Sequence, residues 1–257
     1  MFSTAAERFR AWTQAEVDGG GVRRFQVAFA SIWLAYDVCD FLFKGTATCL
    51  ALGLSTPHTV RLGALQLALI AAEAGLLYGR RARLCAFSAF VLRAAEAYWF
   101  FPLNDFYYYS AVALILSQCR LEPGAPESAW SRDTLLLQMA WIYFSTALLK
   151  TSRVWLSGGH LFVRHAYLLA SRGWPYPAPY RALVSTLSGN AVLACLGVLG
   201  EFTMAALLVR RGPRRATVAL CAALHGFAAL SLNVWFFGAS VFAQVALLTA
   251  PDAPNTP

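Results

Sequence analysis

Apolar residues in this chain run in blocks of membrane-spanning length, separated by short polar connections dense in arginine, glycine and proline. A helix rises about 1.5 Å per residue, so a block of roughly 20 residues matches ~30 Å of bilayer hydrocarbon. The blocks predict membrane helices at 22–43, 59–78, 82–101, 103–119, 134–150, 189–209 and 214–234, with an eighth at 236–250. Asn233 and Gly238 interrupt the last apolar stretch, which is too long for one crossing, so a tight hairpin is predicted there. The fold class expected is all-α, a polytopic membrane bundle of seven to eight transmembrane helices.

Ahead of the first block come Glu7, Arg8, Arg10, Glu16 and Asp18, while Phe2, Phe9 and Trp12 fall near one helical face. This pattern lacks the shape of a signal peptide and predicts an amphipathic segment at 1–21 lying on the membrane surface, with Gly19-Gly20-Gly21 as a hinge. The transmembrane domain then covers 22–250, and 251–257 form a C-terminal tail.

Composition agrees: 58% of the 257 residues are hydrophobic and 13% are charged, a balance at which a soluble domain would precipitate. The net charge of +8 resides in short arginine clusters between apolar blocks. That is the pattern of a lipid headgroup surface, without the basic aromatic face of a nucleic-acid binder. The expected partner is therefore membrane lipid, with no nucleic acid. The six cysteines never form a CxxC, so neither a disulfide framework nor a metal site is expected. Serine-hydrolase, P-loop and Rossmann motifs are absent.

Arg80, Arg81 and Arg83 in one connection, and Arg210, Arg211, Arg214 and Arg215 in another, mark the cytoplasmic side, in agreement with Arg23 and Arg24. Residues 151–188 then fall outside, although they hold Arg153, Arg164, Arg172 and Arg181 and no acidic residue. Their Trp174-Pro175-Tyr176-Pro177-Ala178-Pro179-Tyr180 run fits two readings equally, a cover over a site for acidic substrates and a re-entrant segment facing the lipid headgroups.

This orientation gives the ionisable residues a depth. Asp37, Asp40, Glu96, Asn104, Asp105 and Lys150 fall toward the outer leaflet, Glu201 and His225 nearer mid-membrane, and Glu73 toward the cytoplasmic half. Arg93 and Glu96, at i,i+3, can neutralise one another on one helix face. Lys150 stands out because it ends the apolar run Tyr143-Phe144-Ser145-Thr146-Ala147-Leu148-Leu149. An ammonium there must be paired, reach water or lose its proton. Carboxylates, a histidine and a lysine under an aromatic cover read as one outward-opening chamber suited to proton transfer on an amphiphilic ligand.

Five segments together carry a family resemblance. They are Arg24-Phe25-Gln26-Val27-Ala28-Phe29 leading to Tyr36-Asp37; Leu103-Asn104-Asp105-Phe106-Tyr107-Tyr108; Tyr143-Phe144 with Lys150 and Trp155-Leu156-Ser157-Gly158; Gly200-Glu201-Phe202; and His225 with Asn233. In this order, over about residues 20–250, they resemble the HTTM membrane domain of vitamin K-dependent gamma-carboxylases and their bacterial relatives.

The resemblance implies that Lys150 is the base that deprotonates reduced vitamin K or another quinol. Oxygenation of that quinol yields a strong base, which removes a gamma proton from a peptide glutamate so that carbon dioxide can add. Asp37, Asn104, Asp105, Trp155, Glu201 and His225 are the associated substrate- or quinone-binding candidates.

The chain departs from the carboxylases at Asp105, where they carry a histidine, and it ends at Pro257 without their large extramembrane domain. Three readings follow. The first is a carboxylase-like lyase of a bacterial cell membrane acting on a peptide or small amphiphilic substrate. The second is a non-catalytic quinone- or lipid-binding membrane partner in a redox or peptide-maturation system. The third is a transporter using buried carboxylates as a proton relay, which lacks the paired repeats expected of that class.

Overall fold

The structure is a computed structural model that describes residues 4, 7, 11, 16–17, 20–43, 56–79, 81–99, 104–121, 127–172, 177–232 and 235–249. Among these residues it is helical apart from one short strand pair. The helices are α1 (Gly20–Phe43), α2 (Pro57–Tyr78), α3 (Ala82–Trp99), α4 (Asn104–Gln118), α5 (Ala129–Leu149), α6 (Arg153–Leu156), α7 (Gly159–Arg172), α8 (Ala178–Val184), α9 (Leu187–Val209), α10 (Arg214–Leu232) and α11 (Trp235–Leu248). The strands β1 (Glu16–Val17) and β2 (Glu127–Ser128) pair antiparallel, Glu16 opposite Ser128.

Within the described residues each predicted apolar block is mainly helical, and three stretches among them are long and apolar enough to cross a membrane: Gly20–Leu42, Thr59–Tyr78 and Leu187–Val209. The helices show side chains such as Leu67, Phe87, Val91, Leu196 and Leu199 on the outside while Gln26, Asp37, Gln66, Glu73, Arg93 and Glu96 are buried. Water would favour the reverse arrangement, and this one is compatible with a membrane protein.

Some boundaries differ from expectation. Gly20 and Gly21 lie in the first turn of α1 rather than in a hinge. Small size is useful there, because a Cβ on Gly21 would sit 3.3 Å from the Leu247 carbonyl oxygen. Most of the expected surface segment at 1–21 lies outside the described residues, and its Glu16–Val17 is strand. Asn233 is also outside them, and Gly238 continues α11 rather than breaking it.

α5 begins at Ala129, five positions before the apolar block. Buried Glu127 secures that start by accepting from the Ser128 N–H (2.8 Å) and the Ser131 hydroxyl (2.9 Å).

The chain forms two compact units, residues 1–135 with 239–257, and residues 136–238. In the first, α1–α4 pack as successive antiparallel neighbours around an aromatic column of Phe25, Phe29, Trp33 and Tyr109. α11 joins them: the Trp33 indole N–H donates to Ser240 (3.2 Å), and Tyr108 donates to Gln244 (2.8 Å). In the second unit α9 is the central helix, contacting α6, α7, α8 and α10. Gly200 lets α9 and α10 approach, since a Cβ there would meet the Leu224 side chain at 2.8 Å.

Candidate functional site

Lys150 closes α5, its N–H bonded to the Thr146 and Ala147 carbonyls at 3.1 Å each. Tyr143, two helical turns earlier, lies on the same face. Ser152 then caps α6 by accepting from the Trp155 N–H (3.4 Å), which sets the Trp155 ring 5.4 Å from the Lys150 Nζ. α9 supplies Glu201, whose Oε1 accepts from the Lys150 ammonium. Of the three ways to keep an ammonium at the end of an apolar run, this chain uses pairing.

The second half of the site comes from α10, where Cys221 and His225, four residues apart, share a face. The Tyr143 hydroxyl lies 2.7 Å from His225 Nε2 and 3.5 Å from the Cys221 sulfur. Tyr143 on α5 is thus the link between the α10 pair and the Lys150 end of the same helix. Rings close the surroundings: Phe237 stacks edge-on against His225 at 6.0 Å and Phe202 against Phe144 at 5.8 Å.

Two buried polar atoms, Glu201 Oε2 and His225 Nδ1, have no hydrogen-bond partner. An unpaired buried polar atom costs on the order of 1–3 kcal/mol, so each has unused hydrogen-bonding capacity: Glu201 Oε2 can accept from a hydroxyl, and His225 Nδ1 can accept or donate according to its tautomer. Gly238 packs beside this ring: a Cβ there would stand in ordinary contact with Nδ1, at 3.5 Å.

Of the residues expected from sequence, Lys150, Trp155, Glu201 and His225 all fall in the second unit, the first three in one contact set with His225 attached through Tyr143. Asp37 does not join them within that unit. It pairs in the first unit with Arg93, which also meets Glu96 (2.6 Å) and Glu73 (3.5 Å). Asn104 and Asp105 open α4, and their side chains, like Trp174, lie outside the described residues. Among the described residues no group of histidine, cysteine and carboxylate side chains could hold a metal ion.

The sequence reading missed a second polar knot in this unit. His165, fully buried on α7, bonds through Nδ1 to Asn190 Oδ1 (2.6 Å), while Tyr180 reaches Nε2 at 3.3 Å. Asn190 in turn donates to the Val184 and Thr186 carbonyls at 2.7 Å, fastening α8 to α9. Burial holds His165 below its usual pKa, against the upward pull of the Asn190 bond. Its available signal was the Leu161, His165, Leu168 spacing, an apolar stripe at 4 and 3 residues.

Comparison of the chain with known protein families, characterised proteins and solved structures finds no match.

Proposed function

We propose that this is a multi-pass membrane protein of seven to eight spans whose Lys150 site binds a quinol-like amphiphile and removes its hydroxyl proton, as the HTTM resemblance implies. The observation that carries the reading is the Lys150–Glu201 pair beside Trp155, with an open acceptor on Glu201.

In a low-dielectric site an ammonium–carboxylate pair exchanges with a neutral amine–acid pair when one proton moves along the hydrogen bond. The neutral amine of Lys150 can then take a proton, becoming an ammonium that stabilises the anion left behind. Glu201 Oε2 and His225 Nδ1 are the polar contacts for the ligand's oxygens, and Trp155 and Phe237 its ring contacts. The donor set suits a quinol: one base, two open polar atoms and aromatic walls. Reduced vitamin K or another quinol, when bound, supplies the acidic hydroxyl and the reducing chemistry.

The test is absorbance of reduced vitamin K added anaerobically to the protein in nanodiscs, which separates the neutral quinol from its anion. Wild type should bind and ionise it. Lys150→Ala and Lys150→Arg should bind but leave it neutral, with any turnover down by about 100-fold or more. Guanidinium keeps the charge yet cannot act as a base. Normal ionisation in Lys150→Arg would remove the base role.

That result would leave the second reading, a non-catalytic quinone- or lipid-binding partner. One observation favours it: Lys150 already has a carboxylate and an indole face as partners, as a fixed counter-ion would.

A further inference from the structure

The first unit carries a hollow of about 650 Å³ at one end of its bundle, lined by Gly79, Arg81, Ala82, Arg83, Leu84, Arg120 and Leu121. Three of these residues are arginines and none is acidic. A bias of positive charge toward the cytoplasmic side explains arginines in each connection separately. It does not explain why arginines from two connections, 37 or more positions apart in the chain, converge on one concave surface.

Several features fix that convergence. Gly79 ends α2 in the left-handed region (φ +77°), its N–H bonded to the Gly75 carbonyl at 3.2 Å. A Cβ there would stand 2.5 Å from an Arg23 guanidinium nitrogen, so a fourth arginine packs against the wall. Arg81 also takes a left-handed conformation (φ +52°), costly for a residue with a side chain. The Arg83 Nε donates to the Ser117 carbonyl (3.1 Å), which ties its guanidinium to the end of α4 by one edge and leaves the Nη edge for a ligand. The Arg120 backbone is held by Glu127, whose Oε2 accepts from the Arg120 N–H at 2.7 Å.

Ala82, Arg83 and Leu84 are the first turn of α3, so their N–H groups add to the field of the arginines, and no acidic side chain occupies that turn. The remaining wall is apolar, with Leu84 more than half exposed. Forked donors suit the oxygens of a phosphate, and an apolar wall suits an attached chain.

We propose that this hollow binds a phosphate-bearing anion, either the headgroup of an anionic phospholipid or a free phosphate compound. It is a site distinct from Lys150 and does not rest on the quinol reading.

The experiment measures binding of cardiolipin, phosphatidylcholine and inorganic pyrophosphate to the detergent-purified full chain by native mass spectrometry. The variants are the triple Arg81→Gln/Arg83→Gln/Arg120→Gln and, as control, Arg210→Gln/Arg214→Gln/Arg215→Gln, which removes equal charge from the exposed connection before α10. Wild type should prefer cardiolipin to phosphatidylcholine. Each hollow arginine should be worth about fivefold in affinity, and the control variant should bind as wild type does.

Competition by pyrophosphate supports recognition of the phosphate alone; binding of cardiolipin without competition supports a lipid site. Arg83→Lys serves if the triple variant melts early, and should lose the contribution of a forked donor while keeping the charge. Equal losses in the hollow and control variants, or no preference for an anionic ligand in wild type, would overturn the proposal.

Discussion

Arg93 is fully buried, with its guanidinium carbon 4.6 Å from the Tyr109 ring centroid and 5.3 Å from that of Trp33, and Asp37, Glu73 and Glu96 around its edge. Removing the one cation leaves three carboxyl groups facing each other away from water. Arg93→Met should therefore lower stability by about 3–5 kcal/mol, the cost typical of stranding one side of a buried ion pair. Adding Asp37→Asn should recover part of the loss. A thermal melt of both variants in detergent checks this, and a single variant melting with wild type would show the cluster to be dispensable. The Arg93–Glu96 pair could be read from the sequence, because i,i+3 spacing on a helix brings the side chains together without help. The Asp37 and Glu73 contacts could not. They span 56 and 20 positions, and depth along a helix says nothing about which way each helix is turned. Within the first unit Asp37 is bonded to Arg93, and within the second Lys150 meets Glu201.

Helices were legible wherever composition alone decides them, and less so where a few polar contacts do. The apolar criterion placed α9 and α10 to within about two residues at either end, since an apolar run of that length satisfies its backbone groups in hydrocarbon as a helix. It found neither the Ser131-containing first turn of α5 nor helices α6–α8, whose order depends on caps and on the His165–Asn190–Tyr180 knot. That knot makes stability depend on pH. Because burial keeps the folded pKa of His165 below its unfolded value of about 6.5, the unfolded chain binds the proton more readily, and folding loses stability as pH falls through 6.5. The loss levels off below the folded pKa. His165→Gln should flatten this slope in melts recorded between pH 7.5 and pH 5 (both chosen to bracket the titration); an unchanged slope would assign the dependence to another group. Gly158 belongs to the same corner: φ is +80° and a Cβ would lie 2.3 Å from the Ala191 nitrogen. Gly158→Ala should cost about 1–3 kcal/mol for backbone strain alone, read from the same melts.

At the scale of the whole chain, composition establishes an apolar protein with buried polar residues, but leaves open how many helices cross. α4 has 15 residues and α11 has 14, giving lengths of about 22 and 21 Å, short of the ~30 Å hydrocarbon core. Parity decides the matter. If α3, α4, α5 and α9 all cross, the connections holding Arg81, Arg120 and Pro213 face the same side, and the segment with Ala178 faces the other. The arginines agree, because Arg81, Arg83 and Arg120 line one hollow at one end of the first unit and Arg210, Arg211, Arg214 and Arg215 cluster in the later connection. Single cysteines at Arg81, Arg120, Pro213 and Ala178, in a background with the six native cysteines replaced, should therefore divide three to one. Ala178 should react with an impermeant thiol reagent in intact cells, and the other three only after permeabilisation. Labelling of Arg120 opposite to Arg81 would mean that one of α3 and α4 fails to cross. Labelling of Pro213 opposite to Arg120 would put the failure in α5 or α9: Ala178 labelled with Arg120 would assign it to α5 and move the Lys150 end to the other side, whereas Ala178 labelled with Pro213 would assign it to α9 and leave Lys150 in place.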